Sequence, residues 1–260
     1  MTDRTLADFD LTGRRALVTG GGDGLGRQMT EALLDAGAAV VICGRRPEPL
    51  ERTAAELADR GDVTAVRADV TVPSDVDSLV TAAGDVDILV NNAGLAHRAP
   101  WPQVESAEWR RIMTLNVESP FWLFQRLVPG MVDRGWGRVV NVASIYGIVA
   151  GDPGRYPGIG LDIASYFASK HALIGLTKFL AVQVASTGVT VNALCPGMFP
   201  SPANDDALQP EVIAALNAGT PMGRLGGDRE LRSALLFLTA PASSFVTGQS
   251  VVVDGGWTSW

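Results

Sequence analysis

Seven short apolar runs punctuate the chain, at Ala16–Thr19, Ala39–Cys43, Thr64–Arg67, Ile88–Asn91, Arg138–Val142, Thr190–Leu194 and Ser250–Val253. Each is rich in Val, Ile or Ala and lacks strict alternation with polar residues, the pattern of strands covered on both faces of a parallel sheet. Helical patterns lie between them. Gly24–Asp35 stops just before Gly37, and Glu48–Arg60 stops at Gly61, both in keeping with glycine beyond a helix end. Another helix starts at Ser74 after Pro73. Further helices are expected over Glu118–Val132, Ala164–Ser186, Pro210–Asn217 and Asp228–Leu238. Strand and helix in alternation predict an α/β chain: a single-domain doubly wound Rossmann fold over residues 1–260, with about seven parallel strands flanked by helices.

Composition narrows the function. With 47% apolar and 19% charged residues in 260, the chain is globular. Its net charge is −7. The basic doublets Arg14–Arg15, Arg45–Arg46 and Arg110–Arg111 are scattered, so no nucleic-acid partner is expected. No apolar run approaches the ~18 residues of a membrane span, and the first ten residues carry no apolar signal core. A cytoplasmic protein without a membrane partner is expected. Cys43 and Cys195 are too few for a disulfide framework and sit among apolar neighbours as core residues. His97 and His171 share no ligand spacing, so no metal is expected.

The turn after the first strand reads Thr19-Gly20-Gly21-Gly22-Asp23-Gly24-Leu25-Gly26. Glycines there allow a tight turn and close approach to a pyrophosphate, and the following helix offers its free N–H groups and positive end. In that context the turn predicts dinucleotide binding through Gly20, Gly22, Asp23, Gly24, Leu25 and Gly26. The second strand ends Ile42-Cys43-Gly44-Arg45-Arg46, without the acid that binds free ribose hydroxyls. Arg45 and Arg46 therefore favour NADP(H) over NAD(H), unless Glu48 and Glu51 merely pair with them.

Tyr166 and Lys170 stand four residues apart, on one face of a helix. They are either a surface pair or a phenol whose pKa a neighbouring cation lowers toward neutral acid/base work. Here the motifs accumulate. The Thr19–Gly26 turn, Asn91-Asn92-Ala93-Gly94, Leu115-Asn116-Val117, Asn141-Val142-Ala143-Ser144, Tyr166 with Lys170, Pro196-Gly197 and Val253-Asp254-Gly255-Gly256 follow one another over nearly the whole chain. In that order they resemble the short-chain dehydrogenase/reductase superfamily, in its branch similar to gluconate 5-dehydrogenases and 3-oxoacyl reductases. The resemblance implies hydride exchange between a nicotinamide and a secondary alcohol or ketone. It makes Tyr166 the acid/base, with Lys170 tuning it and holding the cofactor ribose. Ser144 would bind the reacting oxygen, and Asn116 would hold a water in the proton relay. It further implies cofactor contacts at Asp69, Val70, Asn92, Ala93, Gly94, Pro196, Gly197 and Ser201.

The chain departs from that pattern between Ser144 and Tyr166, which lie further apart than is usual. The added Gly151–Gly160 stretch brings Arg155 and Tyr156 toward the substrate, and His97 and Met198 join them as candidates. A lid is expected over 195–220. Polar candidates suit a sugar acid or polyol, with a 3-oxoacyl-thioester reductase or a non-catalytic dinucleotide-binding regulator as the alternatives. Trp257 and Trp260 at the end of the chain and Phe121, Trp122 and Phe124 offer apolar surface, and the resemblance implies a homotetramer formed through these regions.

Overall fold

The computed structural model describes residues 5–152, 162–200 and 210–259. Seven strands form one sheet: β1 (Arg15–Thr19), β2 (Ala39–Gly44), β3 (Val63–Arg67), β4 (Ile88–Asn91), β5 (Gly137–Val142), β6 (Val189–Pro196) and β7 (Ser250–Val253). All neighbours are parallel, in the order β3-β2-β1-β4-β5-β6-β7. Every predicted strand is present. The helices are α1 (Gly24–Asp35), α2 (Pro47–Leu57), α3 (Pro73–Ala83), α4 (Ser106–Met113), α5 (Ser119–Asp133), α6 (Ala164–Val184), α7 (Pro210–Ala218) and α8 (Arg232–Thr239).

The lack of alternation in the strands has its reason in the two cores. Leu17, Val41, Leu89, Val139 and Val191 point to one face, under α3, α5 and α6. Their neighbours Ala16, Val18, Val40, Ile42, Ile88, Val90 and Val140 point to the other, under α1, α2 and α8. A period of two thus places apolar side chains alternately in two dry layers.

Two elements differ from the sequence reading. α4 was not expected, because Ser106–Met113 is largely polar and buries only Ile112. It runs into a π-helical turn, Thr114–Glu118, where the Ser119 N–H reaches back five residues to the Thr114 carbonyl. Such turns cluster at functional sites, and Asn116 lies within this one.

The chain order reverses between β1 and β4, which are direct neighbours. The carboxyl ends of strands at such a switch point leave a crevice for a ligand. The glycine turn leaves β1 there, and Asn92-Ala93-Gly94 leaves β4.

The tryptophan argument for assembly is corrected. Trp257 is only 3% exposed and meets Tyr146 edge-on, 5.7 Å between ring centres. Phe121, Trp122 and Phe124 are partly buried against their own core. Trp260 lies outside the described residues. Trp257 thus packs within its own subunit.

Candidate active site

Close backbone packing forms the cofactor turn. Gly20 has φ +65°, and its N–H donates to the Cys43 carbonyl at 2.7 Å. A Cβ on Gly26 would fall 1.9 Å from the Gly20 carbonyl oxygen and 2.7 Å from Asn92 Nδ2. Only glycine lets α1 begin this close to the turn. Thr19 Oγ1 accepts the N–H groups of Asn92 and Ala93, each at 2.9 Å. Asn92 Nδ2 returns bonds to the Thr19 carbonyl at 2.9 Å and the Gly20 carbonyl at 3.2 Å. The Asn92 amide therefore clips β4 to the turn, a structural task the sequence did not reveal. Gly22, Gly24 and Leu25 complete the turn and the start of α1.

Asp23 occupies the N-cap of α1 but makes no side-chain capping bond. Its carboxylate instead takes Arg46 Nη2 at 2.6 Å. The first N–H groups of α1 are thus left without a side-chain cap, which fits a bound pyrophosphate. Arg45 is exposed and makes no ion pair among the described residues, so Glu48 and Glu51 do not neutralise the doublet. At the end of β3, Asp69 Oδ1 holds the N–H and hydroxyl of Thr71 at 2.9 and 2.6 Å. Val70 is buried in the core.

On the other side of the crevice, Ser144 follows β5 and is buried. Its Oγ accepts the Tyr146 N–H at 3.1 Å, opening a short turn. The Tyr166 hydroxyl is placed beside that of Ser144, whose O–H favours the phenolate. Lys170, one helical turn beyond Tyr166, is buried and donates from Nζ to the Val142 carbonyl at 2.7 Å. Its Nζ lies 5.5 Å from the centre of the Tyr166 ring. A Cβ on Gly94 would sit 3.3 Å from Asn116 Oδ1 and 3.4 Å from Lys170 Nζ, so the bare glycine keeps a space open between β4 and these groups.

The Asn116 side chain is fully engaged. Oδ1 accepts the Leu95 N–H at 3.0 Å; Nδ2 donates to the Leu95 carbonyl at 2.9 Å and to Ser169 Oγ at 3.0 Å. Ser169 Oγ in turn donates to the Tyr166 carbonyl at 2.8 Å. Asn116 thus ties the strand segment after Gly94 to the helix bearing Tyr166.

Pro196 ends β6, buried, and the Gly197 N–H donates to the Val253 carbonyl at 2.9 Å. Met198 packs into a cluster with Ile145, Tyr146, Tyr166, Leu216 and Trp257. His97 stands in the loop after β4. Its Nδ1 lies 3.5 Å from Glu108 Oε2 on α4, a carboxylate also held by Arg111 at 2.7 Å. Arg155, Tyr156 and Ser201 lie outside the described residues.

The sequence profile of the short chain dehydrogenase family matches residues 14–211. The chain belongs to that family. A galactitol 2-dehydrogenase (L-tagatose-forming) of Cereibacter sphaeroides is 38% identical, with 97% of this chain and 98% of that protein covered. The 3-oxoacyl-acyl-carrier-protein reductase of Vibrio cholerae is 36% identical over 95% of this chain and 98% of its own. Among solved structures, a gluconate 5-dehydrogenase from Burkholderia cenocepacia, in complex with NADP and tartrate, superimposes with a TM-score of 0.89. It is 35% identical and covers 99% of this chain and 100% of that one. This short-chain dehydrogenase is an oxidoreductase acting on alcohols and ketones.

Its electrostatics depart from the sequence reading in one respect. Burial raises the Tyr166 pKa, and the hydrogen bond from Ser144 offsets this only partly. Lys170 keeps its Nζ 5.5 Å from the ring centre while donating to the Val142 carbonyl. Lys170 itself is pushed down to about 8 by burial. Nearby, the buried Cys195 thiol is pushed up to about 11 by burial. The sequence reading had it as a core residue, and it packs with Ala143, Leu173, Ile174 and Ala193.

A depressed lysine pKa is a statement about stability. Between pH 8 and the ordinary 10.5 the unfolded chain holds this proton and the folded chain releases it. Stability from this group therefore rises as pH climbs through that window, and at pH 7 the charge is a burden. Lys170→Met is expected to abolish turnover yet leave Tm at pH 7 unchanged or higher. Relative to wild type, the gain should shrink by pH 10. A lower Tm at pH 7 would show that the bond to Val142 outweighs the desolvation.

Proposed function

We propose that this oxidoreductase interconverts a secondary alcohol and a ketone on a small polar substrate, a sugar acid or polyol, with NADP(H) as its cofactor. The grouping of Ser144 and Tyr166 with the buried Lys170, whose Nζ lies 5.5 Å from the Tyr166 ring centre, carries this reading. The bound nicotinamide supplies the hydride acceptor or donor. Every other task falls to the chain. The hydroxyls of Ser144 and Tyr166 both donate where negative charge develops on a carbonyl oxygen. Tyr166 passes its proton to that oxygen in reduction and takes it back in oxidation. Lys170 provides the positive charge beside the ring when phenolate forms. Asn116 and the π turn keep α6 aligned with the end of β4 and belong to the proton relay.

The cofactor would lie across Gly20, Gly22, Gly24, Leu25 and Gly26, with Asp69 and Val70 toward the adenine. Asn92, Ala93 and Gly94 would flank the ribose, and Pro196, Gly197 and Ser201 the nicotinamide. Asp23 serves by holding Arg46, which leaves Arg45 as the free cation at the end of β2. Arg67, exposed at the end of β3 and in register with Gly44, adds a second charge without an ion pair among the described residues. Two such cations at the edge where the adenosine ribose belongs support a 2′-phosphate. Relatives bound to NADP support the same choice. Arg45→Ala is expected to weaken NADPH binding about 10- to 100-fold, the loss of one charge-assisted contact. NADH should be affected by less than about twofold. Equal losses in paired fluorescence titrations would remove the phosphate contact from the account.

The substrate class follows the relatives that act on galactitol and gluconate. A second reading, reduction of a 3-oxoacyl thioester, is favoured by the apolar walls around Tyr166: Met198, Val212 and Leu216. Met198 and α7 are also the described parts of the 195–220 lid, and their packing over Tyr166 supports that assignment. Oxidation of polyols with NADP, assayed against reduction of a 3-oxoacyl thioester, separates the two.

We further propose a homotetramer, on new grounds. α6 exposes Phe179 and Val182. Around the open edge of β7, Phe237, Phe245 and Val252 are exposed as well. Two separate apolar faces are what dihedral assembly requires.

A further inference from the structure

The glycine turn can serve a pyrophosphate only if its N–H groups face the ligand and its carbonyl oxygens do not. Every carbonyl from Thr19 to Gly22 has a side-chain donor from outside the turn. Asn92 Nδ2 holds those of Thr19 and Gly20. The Gly21 carbonyl lies 3.4 Å from Thr30 Oγ1 on α1. The Gly22 carbonyl accepts the Thr53 hydroxyl of α2 at 2.7 Å, across 31 residues of chain. That bond is the shortest of the set.

Thr53 departs from the usual behaviour of its residue type. A threonine inside a helix commonly turns its hydroxyl back to the carbonyl four residues earlier. The buried Thr30, Thr177 and Thr239 all do so, at 3.0, 2.8 and 3.0 Å. Thr53 reaches past its own helix to the turn. It is 0% exposed and stands with Leu50 and Leu57 on the buried face of α2, the polar member of that stripe. α2 is pressed against the turn at this point. A Cβ on Gly22 would fall 3.0 Å from the Leu50 backbone nitrogen and 3.1 Å from the Pro49 carbonyl carbon.

The bond has a directional consequence. A trans peptide is planar, and its C=O and the following N–H point in opposite directions. The described peptide bonds are all trans. With the Gly22 oxygen held toward α2, the Asp23 N–H is turned away from α2, and it donates to no group among the described residues. Successive backbone N–H groups left free in this way form a concavity for an anion. A Gly22 carbonyl swung the other way would set its negative end against a phosphate.

We propose that Thr53 is a positioning residue for the cofactor: by fixing the Gly22–Asp23 peptide it aims the Asp23 N–H at the pyrophosphate, without touching the cofactor itself. This rests on the reading that the turn binds a dinucleotide. The pyrophosphate is common to both dinucleotides, so the loss of Thr53 weakens NADPH and NADH alike, whereas Arg45→Ala separates them.

The test titrates the full-length protein with NADPH, NADH and adenosine 2′-phosphate, which carries a ribose phosphate but no pyrophosphate, following fluorescence and heat. Thr53→Val keeps the shape and removes the hydroxyl. It should weaken both dinucleotides about tenfold, the equivalent of about 1.4 kcal/mol. Adenosine 2′-phosphate should stay within about twofold of wild type. Thr53→Ser and Thr53→Ala both lose the methyl group and differ only in the hydroxyl, and this pair decides the matter if Thr53→Val does not fold. Thr53→Ser should bind within about threefold of wild type, and Thr53→Ala about tenfold more weakly. Three results overturn the proposal: wild-type affinity for both dinucleotides in Thr53→Val, no difference between Thr53→Ser and Thr53→Ala, or an equal loss for adenosine 2′-phosphate. Gly26→Val separates the two levels. If it loses cofactor while Thr53→Val does not, the turn stands and the role of Thr53 falls. If Gly26→Val binds as wild type does, the reading of the turn falls, and the role of Thr53 with it.

Discussion

Tyr166→Phe is expected to lower kcat by about two to four orders of magnitude, the range supplied by a positioned general acid or base. The variant removes one oxygen and leaves the ring in its cluster with Met198 and Ile145. Cofactor affinity should therefore stay close to wild type in a fluorescence titration. Residual turnover within tenfold of wild type would end the proton-transfer role. The pH dependence carries a second check. Burial raises the Tyr166 pKa above its ordinary 10. A raised pKa keeps the phenol protonated through neutrality, so the reductive kcat should be flat there and fall only at alkaline pH. Oxidation needs phenolate, so its kcat should climb across the same alkaline range. An oxidative rate already level at pH 7 would mean that the bound state lowers the pKa far more than Ser144 does here.

Gly26→Val is expected to cause the largest loss of cofactor binding among variants that leave the catalytic groups intact. Its Cβ would collide with the Gly20 carbonyl at 1.9 Å, and neither atom belongs to a flexible side chain. Relief requires α1 to retreat from the turn, which breaks the Asn92 clip and displaces the N–H groups aimed at the pyrophosphate. Overpacking of this kind destabilises by about 1–3 kcal/mol, read as a lower urea midpoint. NADPH affinity should fall about 100-fold or more, corresponding to a loss of about 3 kcal/mol in the turn's geometry. Wild-type affinity in a folded Gly26→Val would show that the pyrophosphate does not use this turn.

The elements that the sequence missed share a physical cause. α4 buries one residue, Ile112, so its pattern carries no apolar stripe to read. The π turn is a hydrogen-bond register choice and leaves no periodic trace. Asp23 stands in the sequence as one of the residues of the dinucleotide-binding turn. Its partner is Arg46, 23 residues away, and the pairing explains both residues. Thr19 stood in plain view within the turn, yet its hold on Asn92 and Ala93 spans more than 70 residues. A four-residue spacing says that Tyr166 and Lys170 share a face. It does not say where an ammonium aims its proton.

The sequence by itself determined the order and type of the strands, the doubly wound class, the glycine turn, and the placing of Tyr166 and Lys170 on one helix face. Each is written in local pattern: runs of apolar residues, glycines at a turn, side chains one helical turn apart. Tertiary structure alone decided that Trp257 closes the subunit and that His97 pairs with Glu108. It also decided that Lys170 rests on the Val142 carbonyl, and that Asn116 and Ser169 lock the catalytic helix to β4. Those outcomes join segments far apart in the chain. They depend on which groups burial leaves in need of a partner, and the sequence does not show burial residue by residue.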